Sequence, residues 1–107
     1  MSPDELQKLA LQVIGKLWPA VELQTLRSGD HDWGVVFARW TFVHLLHREA
    51  GLSRRLTSEA VNWRTVSTLV SAMKALDCDV ATNRTRARQL GEAVKLFRQL
   101  LQEKGSR

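Results

Sequence analysis

The sequence has little cysteine, little proline and no long apolar run. Its 107 residues include a single cysteine, Cys78, which excludes both a disulfide framework and a cysteine-rich zinc site. Two prolines and six glycines are present, and they do not gather into a linker. No stretch of about eighteen apolar residues occurs, and the acidic N-terminal segment does not resemble a signal peptide. We therefore expect one soluble, cytoplasmic domain, which its core alone holds together.

Motifs for catalysis and for metal binding are also missing. The sequence contains no glycine-rich phosphate loop, no nucleophile motif and no pair of carboxylates in apolar surroundings. His44 and His47 stand three positions apart, but no further ligand occupies a neighbouring helical position, which favours an ordinary histidine pair over a metal site. The Asp30–Asp32 segment is interpreted as capping and solvation. We expect a protein that is not an enzyme and that needs no cofactor or metal.

Positive charge is what the sequence has in excess. Sixteen lysines and arginines against eleven acidic residues give a net charge of +5 and favour an anionic partner, either nucleic acid or an acidic protein surface. Residues 1–32 carry three basic and five acidic side chains, whereas residues 33–76 carry six and two. Residues 84–107 carry seven basic and two acidic side chains. The middle and the end of the chain are therefore the basic parts, and the first third would repel phosphate.

The spacing of apolar residues predicts an all-α protein with five or six helices. Apolar residues recur at intervals of three and four, and no segment shows the alternation of a strand or an internal repeat. The first helix would begin with Ser2 as cap, Pro3 in the first position and Glu5 completing a capping box. It would end before Pro19. The segment 21–23 is either a short helix or a connection.

A central helix is predicted from Trp33 to Glu49, because this segment is apolar on most sides. Asp30 or Asp32 would cap its start. Gly51 stands where a left-handed residue usually ends a helix. Trp40 is expected to belong to the core.

Two shorter helices are predicted to follow across a tight connection. Ser53 would cap the first, which runs to about Val61, and the second would begin near Asn62. In a helix-turn-helix, the second helix starts with small, polar or basic residues that enter the major groove, and later apolar residues hold it to the body. Residues 62–76 show this division, so a helix-turn-helix is predicted at about 53–76.

Two groups of side chains are predicted to contact DNA. Arg64 can donate two hydrogen bonds to a guanine edge, Val66 can meet a thymine methyl, and the neighbouring hydroxyls can bond bases or phosphates. Trp63 is expected to be exposed, where it could meet the sugar-phosphate backbone or a protein. The base-reading group is Asn62, Trp63, Arg64, Thr65, Ser67 and Thr68. The phosphate-contacting group is Arg54, Arg55, Lys74, Arg84, Arg86 and Arg88.

A basic C-terminal helix is predicted at about 83–104, opened by Thr82 or Asn83. Its apolar stripe is formed by Leu90, Val94, Phe97 and Leu101. The preferred interpretation is an amphipathic helix that covers its own core with a solvated basic face. A phosphate-contacting arm and an oligomer seam are the alternatives.

One family resembles the middle of this sequence. The matching residues are Ala38, Arg39, Leu45, Gly51, Leu52, Ser53, Arg64, Thr68, Ala72 and Lys74. Their spacing is similar to that of the C-terminal DNA-binding domain, domain IV, of the bacterial replication initiator DnaA, without a gap over about a third of the chain. The resemblance implies an all-α fold with a helix-turn-helix in the major groove, and double-stranded DNA as the partner.

Several positions depart from the family pattern. The family has Asp-His-Thr where this chain has Thr65–Ser67, and a Phe-Gly-Gly turn where it has Val61–Trp63. We therefore expect a different base preference. The family's basic loop is replaced by Ser28–Trp33, whose two acids would repel phosphate. Because the ATPase module is missing as well, we do not expect this chain alone to open an origin.

From these observations we expect a sequence-specific DNA-binding domain that acts in transcriptional regulation and is nucleoid-associated when bound. The resemblance is compatible with phage-related regulators and with activators of gene transfer agents, for which RNA polymerase or another acidic protein would be a further partner. One alternative is a small terminase-type packaging subunit that binds DNA as a ring. The other is a protein-interaction module in which Trp63 and the basic helix meet an acidic partner without DNA.

Overall fold

The computed structural model describes residues 1–105, which fold into six α-helices and one π-helical turn. The helices are α1 (Pro3–Leu17), α2 (Leu23–Arg27), α3 (Trp33–His44), α4 (Arg54–Ala60), α5 (Val66–Thr82) and α6 (Arg84–Gly105). The π turn, Leu45–Glu49, continues α3 without a break. Residues 1–105 contain no strand, and the all-α class with five or six helices is confirmed.

The helix starts agree with the caps expected from the sequence. The Ser2 hydroxyl accepts a hydrogen bond from the Glu5 N–H at 3.2 Å, and α1 ends two residues before Pro19. Asp32 caps α3 by accepting the N–H of Gly34 at 3.0 Å. The Ser53 hydroxyl caps α4 in the same way. Local hydrogen bonding of short polar side chains thus fixes where these helices begin.

The predicted bounds of the second helix of the pair are wrong at both ends. Its start is Val66 instead of Asn62, because Asn62 has a φ of 58° and lies in the left-handed region. Its end is Thr82 instead of about Leu76, because no proline or glycine interrupts residues 77–82. Val61–Thr65 therefore forms the turn, and the helix-turn-helix runs from α4 to the end of α5.

The core lies around α3 and the π turn. Helices α1, α2 and α5 pack against α3, and α4 and α6 pack against the π turn. The largest fully buried side chains of the core include Ile14, Phe37, Phe42, Leu45, Leu69, Leu76 and Phe97. Trp40 is half-buried and packs against this cluster. Leu90, Val94 and Leu101 of α6 also pack against it, so the stripe of α6 covers the domain's own core. No helix within residues 1–105 is both long and apolar enough to span a membrane.

A buried arginine holds the connection between α2 and α3. Arg39 donates from Nε to the Leu26 carbonyl at 2.7 Å and from Nη2 to the Ser28 carbonyl at 2.9 Å. Burial lowers the pKa of Arg39, and the charge of Asp30 partly opposes this effect. Arg27, at the end of α2, donates to the Ala60 carbonyl at 3.0 Å. This second bond ties the connection to the last residue of α4, just before the turn of the helix pair.

Candidate nucleic-acid interface

The turn between α4 and α5 is closed by backbone hydrogen bonds. The N–H groups of Asn62 and Trp63 donate to the carbonyls of Glu59 and Ser58, at 3.1 and 2.9 Å. Asn62 takes the left-handed conformation, which asparagine tolerates better than most residues. The turn between α4 and α5 therefore takes only five residues, and backbone hydrogen bonds hold it to the end of α4.

The first turn of α5 presents polar side chains to solvent. Arg64, Thr65, Ser67 and Thr68 are all exposed. The Thr65 hydroxyl lies 2.9 Å from the Ser67 hydroxyl and 3.3 Å from that of Thr68. The side chain of Thr65 does not cap α5, so the hydroxyls are not committed to the helix backbone at this end. A helix N-terminus of this kind carries partial positive charge and exposed N–H donors.

Later residues of α5 attach it to the domain. Leu69, Ala72, Met73 and Leu76 are buried against the core. Their spacing of three and four places them on one face, opposite the exposed polar residues. The division that the sequence predicted, a polar start followed by an apolar anchor, is present in α5 apart from the shift of its first residue.

Trp63 is not the exposed tryptophan that the sequence suggested. It is half-buried and packs against the core, so its ring supports the turn. The exposed tryptophan is Trp33, which is 60% exposed and packs edge-on against Trp40 at a centroid distance of 5.7 Å. An apolar residue directly after a capping aspartate could have indicated this position, because the first residue of a helix has few neighbours.

The predicted phosphate-contacting residues of the helix pair are partly brought together. Arg54 and Lys74 are exposed and line one cavity of about 260 Å³, although they are twenty positions apart in the sequence. Arg55 is also exposed, but it does not line this cavity, and its Nε lies 4.0 Å from the Glu59 carboxylate. The remaining lining residues are His47, Arg48, Leu69, Val70 and Met73.

Arg84, Arg86 and Arg88 lie far from the turn. They follow α5, whose 17 residues make it about 25 Å long, and the turn precedes it. Arg84 and Arg88 are exposed, whereas Arg86 lies 3.5 Å from Asp79 and 4.6 Å from the ring centroid of Phe37. The guanidinium of Arg86 therefore packs at the junction of α5 and α6, and its phosphate contact stays a prediction.

Two residues at the interface were not predicted as DNA contacts. Ser71 is exposed and shares a face of α5 with Ser67 and Lys74. Its spacing of four from Ser67 could have identified it. His47 lines the cavity with Arg54, a relationship that depends on packing between distant segments.

The two histidines that the sequence paired have different surroundings. Burial, followed by the charge of Arg48, lowers the pKa of His44, while the Glu49 carboxylate 3.8 Å away acts in the opposite direction. His47 instead has its Nδ1 2.7 Å from the Leu52 carbonyl oxygen. Across the part of the chain that the structure describes, no three His, Cys, Asp or Glu side chains form a cluster that could hold a metal ion.

Comparisons with protein-family models, with curated proteins and with solved structures found no match to this chain. The similarity to the initiator's DNA-binding domain thus rests on the residues quoted above and stays a prediction. The function is argued below from the geometry and charge of the helix pair.

Proposed function

We propose that this chain is a sequence-specific, double-stranded DNA-binding domain that acts in transcriptional regulation. The observation that carries the proposal is the helix pair itself. It combines a five-residue turn, an exposed polar start of α5 and a buried apolar anchor. These are the features by which a second helix can enter the major groove while the first crosses the backbone.

Uncompensated charge supports an anionic ligand at this surface. Arg54, Arg64 and Lys74 are exposed, and none of them forms an ion pair with another described residue. Residues 53–76 contain four basic side chains and one acidic side chain, Glu59. A cluster of free cations gains affinity for DNA by releasing counterions from the phosphates.

The proposed roles follow from the positions of the side chains. Arg64 precedes the first turn of α5 and donates to a guanine edge, while the hydroxyls of Thr65, Ser67 and Thr68 bond bases or phosphates. Arg54 and Lys74 contact phosphates on the flank of the same helix. The resemblance to the initiator's DNA-binding domain supports the same orientation.

Two observations favour this function over the alternatives. A ring-forming packaging subunit needs a helix that is free to join neighbouring copies, but the apolar stripe of α6 packs on the domain's own core. A protein-interaction module built on Trp63 needs an exposed ring, but Trp63 is half-buried. The mass of the protein in solution distinguishes the ring-forming packaging subunit from the proposed function, because a ring requires many copies.

The proposal is tested by titrating labelled duplex DNA with the protein at two salt concentrations and following fluorescence anisotropy. We expect tight binding at low salt and a steep loss of affinity as salt is raised. Arg64→Ala and Lys74→Ala should weaken binding, whereas Lys16→Ala on α1, which is also exposed, should not. The absence of duplex binding at low salt would contradict the proposal.

A further inference from the structure

We infer that the cavity between the π turn, α4 and α5 binds one phosphate of the DNA backbone, and that His47 adds a proton-dependent hydrogen bond to that phosphate. The inference rests on the proposed function and extends it to a ligand contact and to a dependence on pH. It concerns the cavity of about 260 Å³ that Arg54 and Lys74 line, here named the flank cavity.

The lining of the flank cavity suits a sugar-phosphate unit. Its polar side chains are cationic or imidazole groups, from Arg48, Arg54, Lys74 and His47. Its apolar side chains come from one side of α5, namely Leu69, Val70 and Met73. A deoxyribose phosphate offers an anionic group to the first set and a ring with an apolar face to the second. No carboxylate belongs to the described lining.

The three cationic side chains of the flank cavity are not equally available to a ligand. Arg48 donates two hydrogen bonds to Asp77, which lies outside the lining and neutralises it. Arg54 and Lys74 have no ion pair among the described residues and keep their full charge for a ligand. The cavity thus holds two free cations and one that is oriented by its partner.

His47 is held in one tautomer when it is neutral. A carbonyl oxygen accepts hydrogen bonds, so the 2.7 Å contact with Leu52 requires Nδ1 to carry the hydrogen. The neutral ring then has no hydrogen on Nε2 and cannot donate to a phosphate through that atom. Protonation places a hydrogen on Nε2 without disturbing the bond to Leu52. The charged groups around His47 are Arg54 and Lys74, which line the same cavity, and Arg48 on its own turn. A phosphate bound among them would accept the hydrogen on Nε2.

The position of the flank cavity fits the edge of a major groove. Lys74 follows Ser67 by seven residues, which places it on the same face of α5 and about 10 Å further along the helix axis. The major groove is about 12 Å wide. When the first turn of α5 contacts base edges, its third turn therefore reaches the rim, where the phosphates lie.

The test is a duplex titration at about pH 8 and about pH 6 and constant ionic strength, a range over which histidines change charge. We expect the wild-type affinity to rise roughly threefold to tenfold at the lower pH, because binding takes up a proton. His47→Asn should abolish the rise, since its amide nitrogen replaces Nδ1 as donor to Leu52 while no atom replaces Nε2. His31→Gln, in the exposed α2–α3 connection, is the matched control and should keep the rise.

The outcomes separate this inference from the function on which it rests. If no duplex binds at either pH, both are wrong. If duplexes bind but the rise is absent, or persists in His47→Asn, the function stands and the inference is overturned. Because the same cavity chemistry could serve a free nucleotide, a deoxynucleoside monophosphate is titrated in parallel. Binding of that nucleotide as tight as the binding of the duplex would assign the cavity to a small ligand and would also overturn the inference.

Discussion

Arg48 and Asp77 are joined by two hydrogen bonds, Nη1 to Oδ1 at 2.6 Å and Nη2 to Oδ2 at 2.9 Å. The pair connects the π turn to the second half of α5 and lowers the pKa of Asp77 through the hydrogen bond from Arg48. It also affects how much positive charge the flank cavity presents, because Asp77 neutralises Arg48, which lines that cavity.

Asp77→Asn is expected to have opposite effects on stability and on DNA binding. Both side chains are partly exposed, so the loss in unfolding free energy should be less than about 1 kcal/mol. Duplex affinity should rise, because Arg48 loses its counter-charge beside the proposed phosphate. Urea unfolding and anisotropy titration measure the two effects, and Glu103→Gln, which removes an exposed acidic charge near the end of α6, is the control. An equal gain in affinity from both variants would mean that only net charge matters.

Arg39→Lys should destabilise the fold, although it conserves the charge. The guanidinium of Arg39 donates to several backbone carbonyls of residues 25–30, and a lysine ammonium cannot reproduce that geometry. Leaving buried carbonyls without donors costs about 1–3 kcal/mol. Urea unfolding should show this loss, and the exposed Arg55→Lys should leave the midpoint within error. A midpoint unchanged in Arg39→Lys would show that the connection does not depend on the guanidinium.

Two glycine substitutions should change stability with opposite signs. Gly51 has a φ of +75°, so Gly51→Ala forces a side chain into the left-handed region and costs about 1–2 kcal/mol. Gly91 lies within α6, where an added Cβ meets no atom within 4 Å, so Gly91→Ala should gain about 0.5–1 kcal/mol. Thermal or urea unfolding distinguishes them. Stabilisation by Gly51→Ala would contradict the assignment of the left-handed conformation.

His44 should make stability depend on pH. Because burial lowers its pKa in the folded state below the ordinary value of 6.5, the unfolded chain binds the proton more readily. The contribution of His44 is therefore complete above the ordinary value and is lost as the pH falls below it. The free energy of unfolding should drop between about pH 7.5 and about pH 5, and His44→Gln should drop less. His31→Gln, at an exposed position, should behave like the wild type.

The sequence predicted those parts of the fold that short-range interactions decide. Ser2, Asp32 and Ser53 cap helices by bonding backbone groups two or three residues away, and Gly51 ends a helix through its own φ. The predicted start of α5 at Asn62 was wrong, because the sequence alone does not prevent an asparagine from joining a helix. Its left-handed conformation instead comes from the way α4 closes the turn.

The candidate site was less predictable, because it depends on contacts between distant segments. The burial of Trp63 and the pairing of Arg86 with Asp79 and Phe37 follow from packing across helices. The meeting of His47 with Arg54 and Lys74 has the same origin. A charge count locates basic segments, but it does not tell which cations remain free once the helices pack.

The most direct measurement of the central claim is the selection of bound duplexes from a random pool, carried out with the wild type and with Arg64→Ala. The account predicts that the wild type enriches one short sequence, and that Arg64→Ala relaxes the preference at one base pair at a cost of about 1–3 kcal/mol. Lys74→Ala should weaken binding to all sequences equally. Enrichment of no sequence by the wild type, or an unchanged preference in Arg64→Ala, would contradict the claim that the first turn of α5 reads DNA.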